Sequence, residues 1–539
     1  MRKYIYILIY SFAYLLLCSC QDFLEREPLT TLSSGNFWNT EKDLRMALNN
    51  QYKEMNRDDN LDNWSVDCFA DIGNNISSGT YLPPNTDDRW TTPYKQIRIS
   101  NEFLENYEKA SITEELKNRY AGEARFFRAY YYYRLITRFG DVILTINTLD
   151  TDSPELYAKR TSKEEILQLM MEDLDFAETH IPLKNDMKTD VGRITKGVVQ
   201  AFMARVSLYY GTWYKFRGET ALGKEYLERA KNAARRCIDS QQYSLYPDYR
   251  NLFLYPGEDS EEHILSYRYD EASDTYNGRI RGVIIDFIQE PTKFIADAFL
   301  CKDGLPIEKS VYKTEYLPLG KEFENRDPRM ALTLWKPGDS FREEPFVPNL
   351  SNQTRTGYMF KKYGDEQAME ILASRIDEIL IRYAEVLLTY AEATYELNDQ
   401  ISDSDLDISI NTLRNRFAND PNKLPALTNA FVKKYGLDMR EEIRRERRVE
   451  LVAESLRYDD LIRWKIAETE LPQEILGAKF DKSAYPNMIP GKDINLNSDG
   501  FIIVQSGKSR MFDPAKDYLF PLPLREISLN PNLEQNQNW

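Results

Sequence analysis

"RYAGEARFFRAYYYYRLITRFG", residues 119–140, is the stretch that decides the fold. Tyr120, Ala124, Phe127, Tyr131 and Leu135 recur at steps of three and four, which puts them on one face of an α-helix. Alanine and tyrosine at such positions let a neighbouring helix approach closely. The same texture extends outward in both directions. Thr40, with Asp43 three residues on, predicts a capped helix start running through Met55. Residues 163–178 and 194–210 form a pair separated by a turn at Pro182, and Leu222, Tyr226, Ala230, Ala233 and Cys237 make another stripe. Over 376–391, Ile376, Ile379, Leu380, Tyr383, Ala384, Leu387, Leu388 and Ala391 predict a helix. After the break "NDQISDSD" a second is expected over 406–417, capped by Asp405. The expectation is a mainly α chain: a tetratricopeptide-like helical hairpin scaffold with a loop-rich, short-strand ligand-binding region. A strict repeat of about 34 residues is not visible, so an irregular helical bundle is the alternative.

Periodicity fades between about 241 and 375, where proline, glycine, tyrosine and tryptophan become frequent, and again over 60–93. "QQYSLYPDYRNLFLYPGEDSEE" and "TLWKPGDSFREEPFVPNL" read as structured loops and short strands. Loops on a rigid frame are where binding residues concentrate. Trp90 opens "WTTPYKQI", which leads into a helix, and is assigned to the core.

At the N-terminus, Arg2 and Lys3 precede an apolar run that reaches Leu17, followed by Cys18, Ser19 and Cys20. The run is long enough for a signal-peptide core and shorter than the roughly 20 residues of a membrane span. Small residues before Cys20 match a bacterial lipobox, so 1–19 is expected to be a leader and Cys20 the lipidated first residue. Two or more acyl chains would anchor the chain stably. The rest divides into an N-terminal helical region, 20–240, and a C-terminal region, 241–539, carrying the loop-rich insert and closing helices.

Composition narrows the function. The 539 residues carry a formal net charge of −16, which disfavours nucleic acid and anionic lipid as partners. The chain has five cysteines. Setting aside Cys18 and Cys20, the remaining Cys68, Cys237 and Cys301 have no metal-ligand spacing and read as buried side chains. Only two histidines, His180 and His263, are present, which makes a His-dependent triad or zinc site improbable. No cofactor or metal is expected. "DSDLDI" places acids at 403, 405 and 407, but Ile408 and Arg414 stand where an EF-hand needs Gly and Glu.

Several stretches, in order, resemble the SusD/RagB-type outer-membrane lipoproteins: "CQDFLEREP" at the start of the mature chain, "AGEARFFRAYYYYRLITRFGDV", "RYAEVLLTYAEA", "IRRERRVELVAESLRYDDLIRW" and "YLFPLPLREISLNPNLEQN". The resemblance covers nearly the whole mature chain. It implies a non-enzymatic surface receptor sitting on a TonB-dependent, SusC-like transporter in the outer membrane. That receptor passes captured oligosaccharide, or in some branches peptide, to the pore. The family commonly ends on a glycine-aromatic pair; here the ending is "NQNW".

Within "RRERRVELVAESLRYDDLIRW", Arg447 with Glu450, Glu454 with Arg457, and Asp459 with Arg463 have helical spacing and predict a salt-linked bracing helix. Prolines 521 and 523 in "FPLPLREI" predict an extended C-terminal strap. A sugar needs a flat ring against its C–H face and polar groups for its hydroxyls. Trp64, Asp67, Asp71 and Tyr81 in the first loop-rich region, and Tyr276, Arg279 and Trp335 in the second, are the candidates. A glycoside hydrolase is the rival class, since two carboxylates would suffice, but 86 acidic residues supply pairs by chance.

Overall fold

The computed structural model describes residues 37–55, 65–69, 81–187, 190–269, 276–277, 289–341, 343–350, 354–366 and 374–539. The expected leader and Cys20 lie outside the described residues.

Helix α1, Glu41–Tyr52, starts as its sequence dictates: the Thr40 hydroxyl accepts from the Asp43 amide at 3.3 Å, and the Asp43 carboxylate accepts from the Thr40 amide at 2.8 Å. Helix α2, Asp88–Asn106, buries Trp90 edge-on against Phe139, ring centroids 5.1 Å apart. Helix α3, Glu114–Phe139, carries the opening stretch, and all five stripe residues are buried. Phe126, Ala129, Tyr132 and Ile136 on its other faces are buried too, so α3 is enclosed by neighbours rather than lying on a surface. Helices α4 (Lys163–His180), α5 (Lys196–Lys215) and α6 (Thr220–Asp239) follow, and each packs on its predecessor in the chain.

The α5–α6 crossing is the tightest. A Cβ on Gly211 would sit 2.8 Å from the Leu227 backbone nitrogen, and one on Gly223 would sit 3.1 Å from the Gly211 carbonyl. Gly211→Val is therefore expected to force the helices apart and lower stability by about 1–3 kcal/mol. A shift in the urea midpoint would read this out; an unchanged midpoint would mean that the crossing has slack.

The loop-rich half returns to the frame through a short antiparallel ribbon, β2 (His263–Tyr267) with β6 (Glu378–Arg382). Here the structure corrects the sequence reading. The expected helix over 376–391 is β6 followed by helix α7, Tyr383–Asn398, so Ile376, Ile379 and Leu380 belong to extended chain. All five β6 residues are buried, and a short apolar run covered on both faces satisfies a helical pattern equally well. Helix α7 packs on α6 and continues the series.

The expected 406–417 helix is two short ones, α8 (Asp403–Ile408) and α9 (Ile410–Asn415), parted at Ser409, which leaves helical geometry at φ −113° and ψ −93°. Ser402, not Asp405, is the cap: its hydroxyl accepts from the Asp405 amide at 3.1 Å.

The bracing helix is likewise two helices, α10 (Met439–Glu450) and α11 (Arg457–Arg463). Ala453 and Ser455, at φ 59° and 60°, break the chain between them. The anticipated local pairs do not form as drawn. Arg447 donates to Asp460 at 2.9 Å, Arg138 to Asp459 at 2.7 Å, and Arg463 to Glu392 at 2.5 Å. Glu450 accepts from Arg382 at 2.8 Å and from Arg329 and Arg416 at 3.0 Å, and Glu454 from Lys362 at 2.7 Å. These groups are buried, so the charges knit α10 and α11 to β6 and α7 inside the protein.

The C-terminal strap is confirmed in part. The Phe520 amide donates to the Arg138 carbonyl at 2.7 Å, then Pro523 gives way to helix α12, Leu524–Leu529. Cys68, Cys237 and Cys301 are buried, as read from the sequence. No described helix is long and apolar enough to cross a membrane.

Not every interior carboxyl is held ionised. Burial pushes Glu322 up to about 7, even though the Tyr358 hydroxyl donates to it at 2.9 Å. A folded-state value above the unfolded one means that the folded chain holds the proton more tightly. Stability from this group is therefore full below the unfolded value of about 4.3 and is lost as pH rises to about 7. Glu322→Gln is expected to flatten the stability–pH curve over that window; an unchanged slope would contradict the burial argument.

Candidate functional site: tyrosines on the loop-rich face

The connecting segments of the two loop-rich regions are tied to one another. Strand β1, Cys68–Phe69, pairs antiparallel with β3, Glu290–Pro291. The Thr292 hydroxyl donates to the Val66 carbonyl at 2.6 Å. The Glu290 carboxylate accepts from Thr354 at 2.8 Å and from the Arg355 amide at 2.6 Å, so segment 354–356 joins the same knot. Segment 276–277 is held separately: the Asn277 amide donates to the Ser374 carbonyl at 2.7 Å and its side chain to the Ile376 carbonyl at 2.9 Å.

This framework sorts the sequence candidates. Trp64, Asp71 and Arg279 lie outside the described residues. Asp67 is 2% exposed, with Arg448 donating to both of its oxygens at 3.0 Å and the Arg457 guanidinium 3.3 Å away as a second counter-charge. Burial alone would raise its pKa, but the two guanidiniums outweigh burial and hold its carboxyl below the usual range. Trp335 is 3% exposed in a small cluster with Phe346 and Met359, and the Lys361 ammonium sits 4.8 Å from its ring centroid. Tyr81 packs edge-on between Phe520 and Trp539 at 5.8 and 5.9 Å. Asp67, Tyr81 and Trp335 thus occupy three different packing environments, and Asp67 and Trp335 stand where the fold itself uses them.

Tyr276 differs. It is 45% exposed, and the Arg375 guanidinium lies 4.8 Å from its ring centroid while donating to its hydroxyl at 3.3 Å. The Arg375 backbone amide donates to the hydroxyl of a second exposed tyrosine, Tyr255, at 3.0 Å. Two outward rings are thereby fixed to one short segment, with a guanidinium against the Tyr276 ring. Rings and fork together can stack on an apolar face and donate to hydroxyls or carboxylates. Sequence reasoning missed Tyr255. The signal was its place before Pro256 and Gly257, a turn that lifts the ring out of the core, but a tyrosine-rich stretch hides one exposed ring among buried ones.

His263 is unsuited to acid–base work near neutral pH. Burial pushes His263 down to about 4, and its Nε2 lies 3.3 Å from the Leu252 carbonyl. His180 packs against Phe176 at 4.4 Å between centroids. Among the described residues, no group of three or more His, Cys, Asp or Glu side chains is arranged to hold a metal.

The family profile described as "SusD family" matches residues 261–539, and one described as "Starch-binding associating with outer membrane" matches 23–208. The chain belongs to the SusD family. Among solved SusD-like structures, a carbohydrate binding protein from Bacteroides fragilis superimposes with a TM-score of 0.79 at 26% identity, covering 92% of this chain and 100% of that one. A SusD-like protein of Formosa agariphila is 27% identical over 87% of this chain and 92% of its own. A second from the same organism is 26% identical over 97% of each. The mainly helical, tetratricopeptide-like scaffold read from the sequence is the SusD fold.

Proposed function

We propose that this chain is a lipid-anchored, non-catalytic receptor that captures oligosaccharide and passes it to a TonB-dependent, SusC-like transporter in the outer membrane. The observation that carries the reading is the outward-facing Tyr255 and Tyr276, held on Arg375 within a SusD-family frame. The Bacteroides fragilis relative described as carbohydrate binding supports it, as does the outer-membrane association in the N-terminal profile's description. Exposed rings on an open face suit weak capture and fast release, because few groups are immobilised and little area is buried. Cys20 supplies the anchor, and Trp64, Asp71 and Arg279 are further candidate ligand contacts.

Cell fractionation tests the tether. The full chain is expected in the outer-membrane fraction, co-purifying with a transporter after mild detergent extraction, and Cys20→Ala is expected in the soluble fraction. A Cys20→Ala chain that stays on the membrane would overturn the anchor. A wild-type chain that brings down no transporter would overturn the hand-over.

A further inference from the structure

A groove that sequence reasoning did not single out runs between segments 184–195 and 259–268. Two cavities of about 460 and 420 Å³ share Val191, Gly192, Arg193, Leu265, Ser266 and Arg268 as lining, which makes them one continuous trough. Its wall is joined to the tyrosine segment. Arg268 donates to Asp259 at 2.5 Å and lies 3.8 Å from Asp377, two residues beyond Arg375. The Tyr269 amide also donates to Asp377, and the Asp377 amide to Glu258. The trough wall and the segment that holds Tyr276 are thus parts of one hydrogen-bonded unit.

The charge of this trough opposes that of the chain. Five cations line it, Arg45, Lys53, Lys184, Arg193 and Arg268, against two acids, Asp190 and Asp259. The protein as a whole carries −16. Some of the lining cations are already balanced. Arg45 lies 2.9 Å from Asp190, and Arg193 donates to Glu123 behind the wall at 2.7 Å. Lys53 is exposed, and Lys184 lies 5.3 Å from the Tyr243 ring centroid with Asp259 and Glu261 as its nearby acids. They stand in different halves of the trough, Lys53 with Asn49 and Tyr52, Lys184 with Asn185 and Asp259. His263 lines the same half as Lys184 and is neutral at pH 7. The Ser260 hydroxyl, also in the lining, is buried and finds no hydrogen-bond partner. Gly192, at φ +87°, lets the Arg268 side chain lie flat along the floor; a Cβ there would meet the Arg268 Cδ at 2.9 Å. Two spaced ammonium groups and an unfilled hydroxyl in an elongated trough fit a chain-like ligand with anionic groups at intervals.

We infer that the trough takes the anionic segment of an acidic oligosaccharide, whose carboxylates or sulfates meet Lys53 and Lys184 while its sugar rings stack on Tyr255 and Tyr276. The inference rests on the receptor reading above and narrows its ligand class. Because the attraction is between partly exposed charges, it must weaken with salt.

The test uses the full chain in detergent and matched ligand pairs in calorimetry, after screening on an array of neutral, uronic-acid and sulfated oligosaccharides. One arm compares oligogalacturonates with their methyl esters, which keeps the backbone and removes the charge. The other compares a sulfated carrageenan oligosaccharide with its desulfated counterpart. In at least one arm the charged member is expected to bind about tenfold or more tighter at low salt, with the ratio collapsing in about 0.5 M salt, where the Debye length falls below about 5 Å. Lys53→Gln with Lys184→Gln is expected to abolish the preference while leaving neutral binding in place. Neutral members that bind as well as charged ones in both arms, or a preference that survives the double substitution, would overturn the acidic-ligand inference alone. Failure of every glycan, charged or neutral, would overturn the receptor reading and this inference with it.

Discussion

Replacing Glu450 with alanine is expected to lower folding stability by about 3–5 kcal/mol, the cost of removing one partner from a buried charge cluster. Glu450 is fully buried and receives Arg329, Arg382 and Arg416 at once. Without it, three guanidiniums in the interior lose a shared counter-charge. Their remaining acids, Glu262, Glu446, Glu454 and Asp327, are already engaged. A natural domain holds only about 5–15 kcal/mol in total, so most of the margin would go. Urea unfolding reads the effect, and Glu450→Gln separates lost charge from lost volume. A midpoint within experimental error of the parent would contradict the view that this cluster holds α10 and α11 to the frame.

The same residue carries a pH signature. Burial opposes ionisation of Glu450, but Arg416, Arg382 and Arg329 outweigh it and hold the carboxyl far below its usual value. A depressed folded-state pKa stabilises the protein above the unfolded value of about 4.3 and withdraws that stability as pH falls below it. Acid unfolding of the parent chain is thus expected to be steeper below about pH 4 than that of Glu450→Gln.

Loss of both exposed rings should be felt in binding and not in folding. Tyr255→Ala with Tyr276→Ala is expected to weaken oligosaccharide affinity by about 30- to 150-fold, since each stacked ring contributes about 1–1.5 kcal/mol. Both side chains are largely outward, 43% and 45% exposed, so thermal unfolding should move little. Arg375→Ala is the companion variant, because its guanidinium fixes the Tyr276 ring as well as offering hydrogen bonds. Wild-type affinity in the double variant would place the glycan elsewhere on the surface.

Where the sequence was legible, the physics was local. The Thr40–Asp43 cap and the 119–140 stripe depend on neighbours a few residues away, and both stand in the structure as read. The 376–391 stretch was misread because β6 is extended through its pairing with β2, over a hundred residues distant in the chain. The arginine-rich segment was misread for the same reason. Spacing suggested Arg447 with Glu450, yet Glu450 answers to Arg329, Arg382 and Arg416, contributed by other parts of the chain. Composition could say that the acids and bases balance but not that they meet indoors. The site was legible only as a type of surface. Tyr276 was found from its loop, Tyr255 was not, and Asp67 and Trp335 show that a polar or aromatic loop residue can just as well serve the packing around it.

Titration of the purified full chain with oligosaccharide, with reducing ends assayed in the same cell afterwards, bears most directly on the receptor claim. The account expects saturable binding that weakens when Tyr255 and Tyr276 are removed, and ligand recovered uncut. New reducing ends that accumulate with time, and that vanish on substitution of a single Asp or Glu, would contradict it.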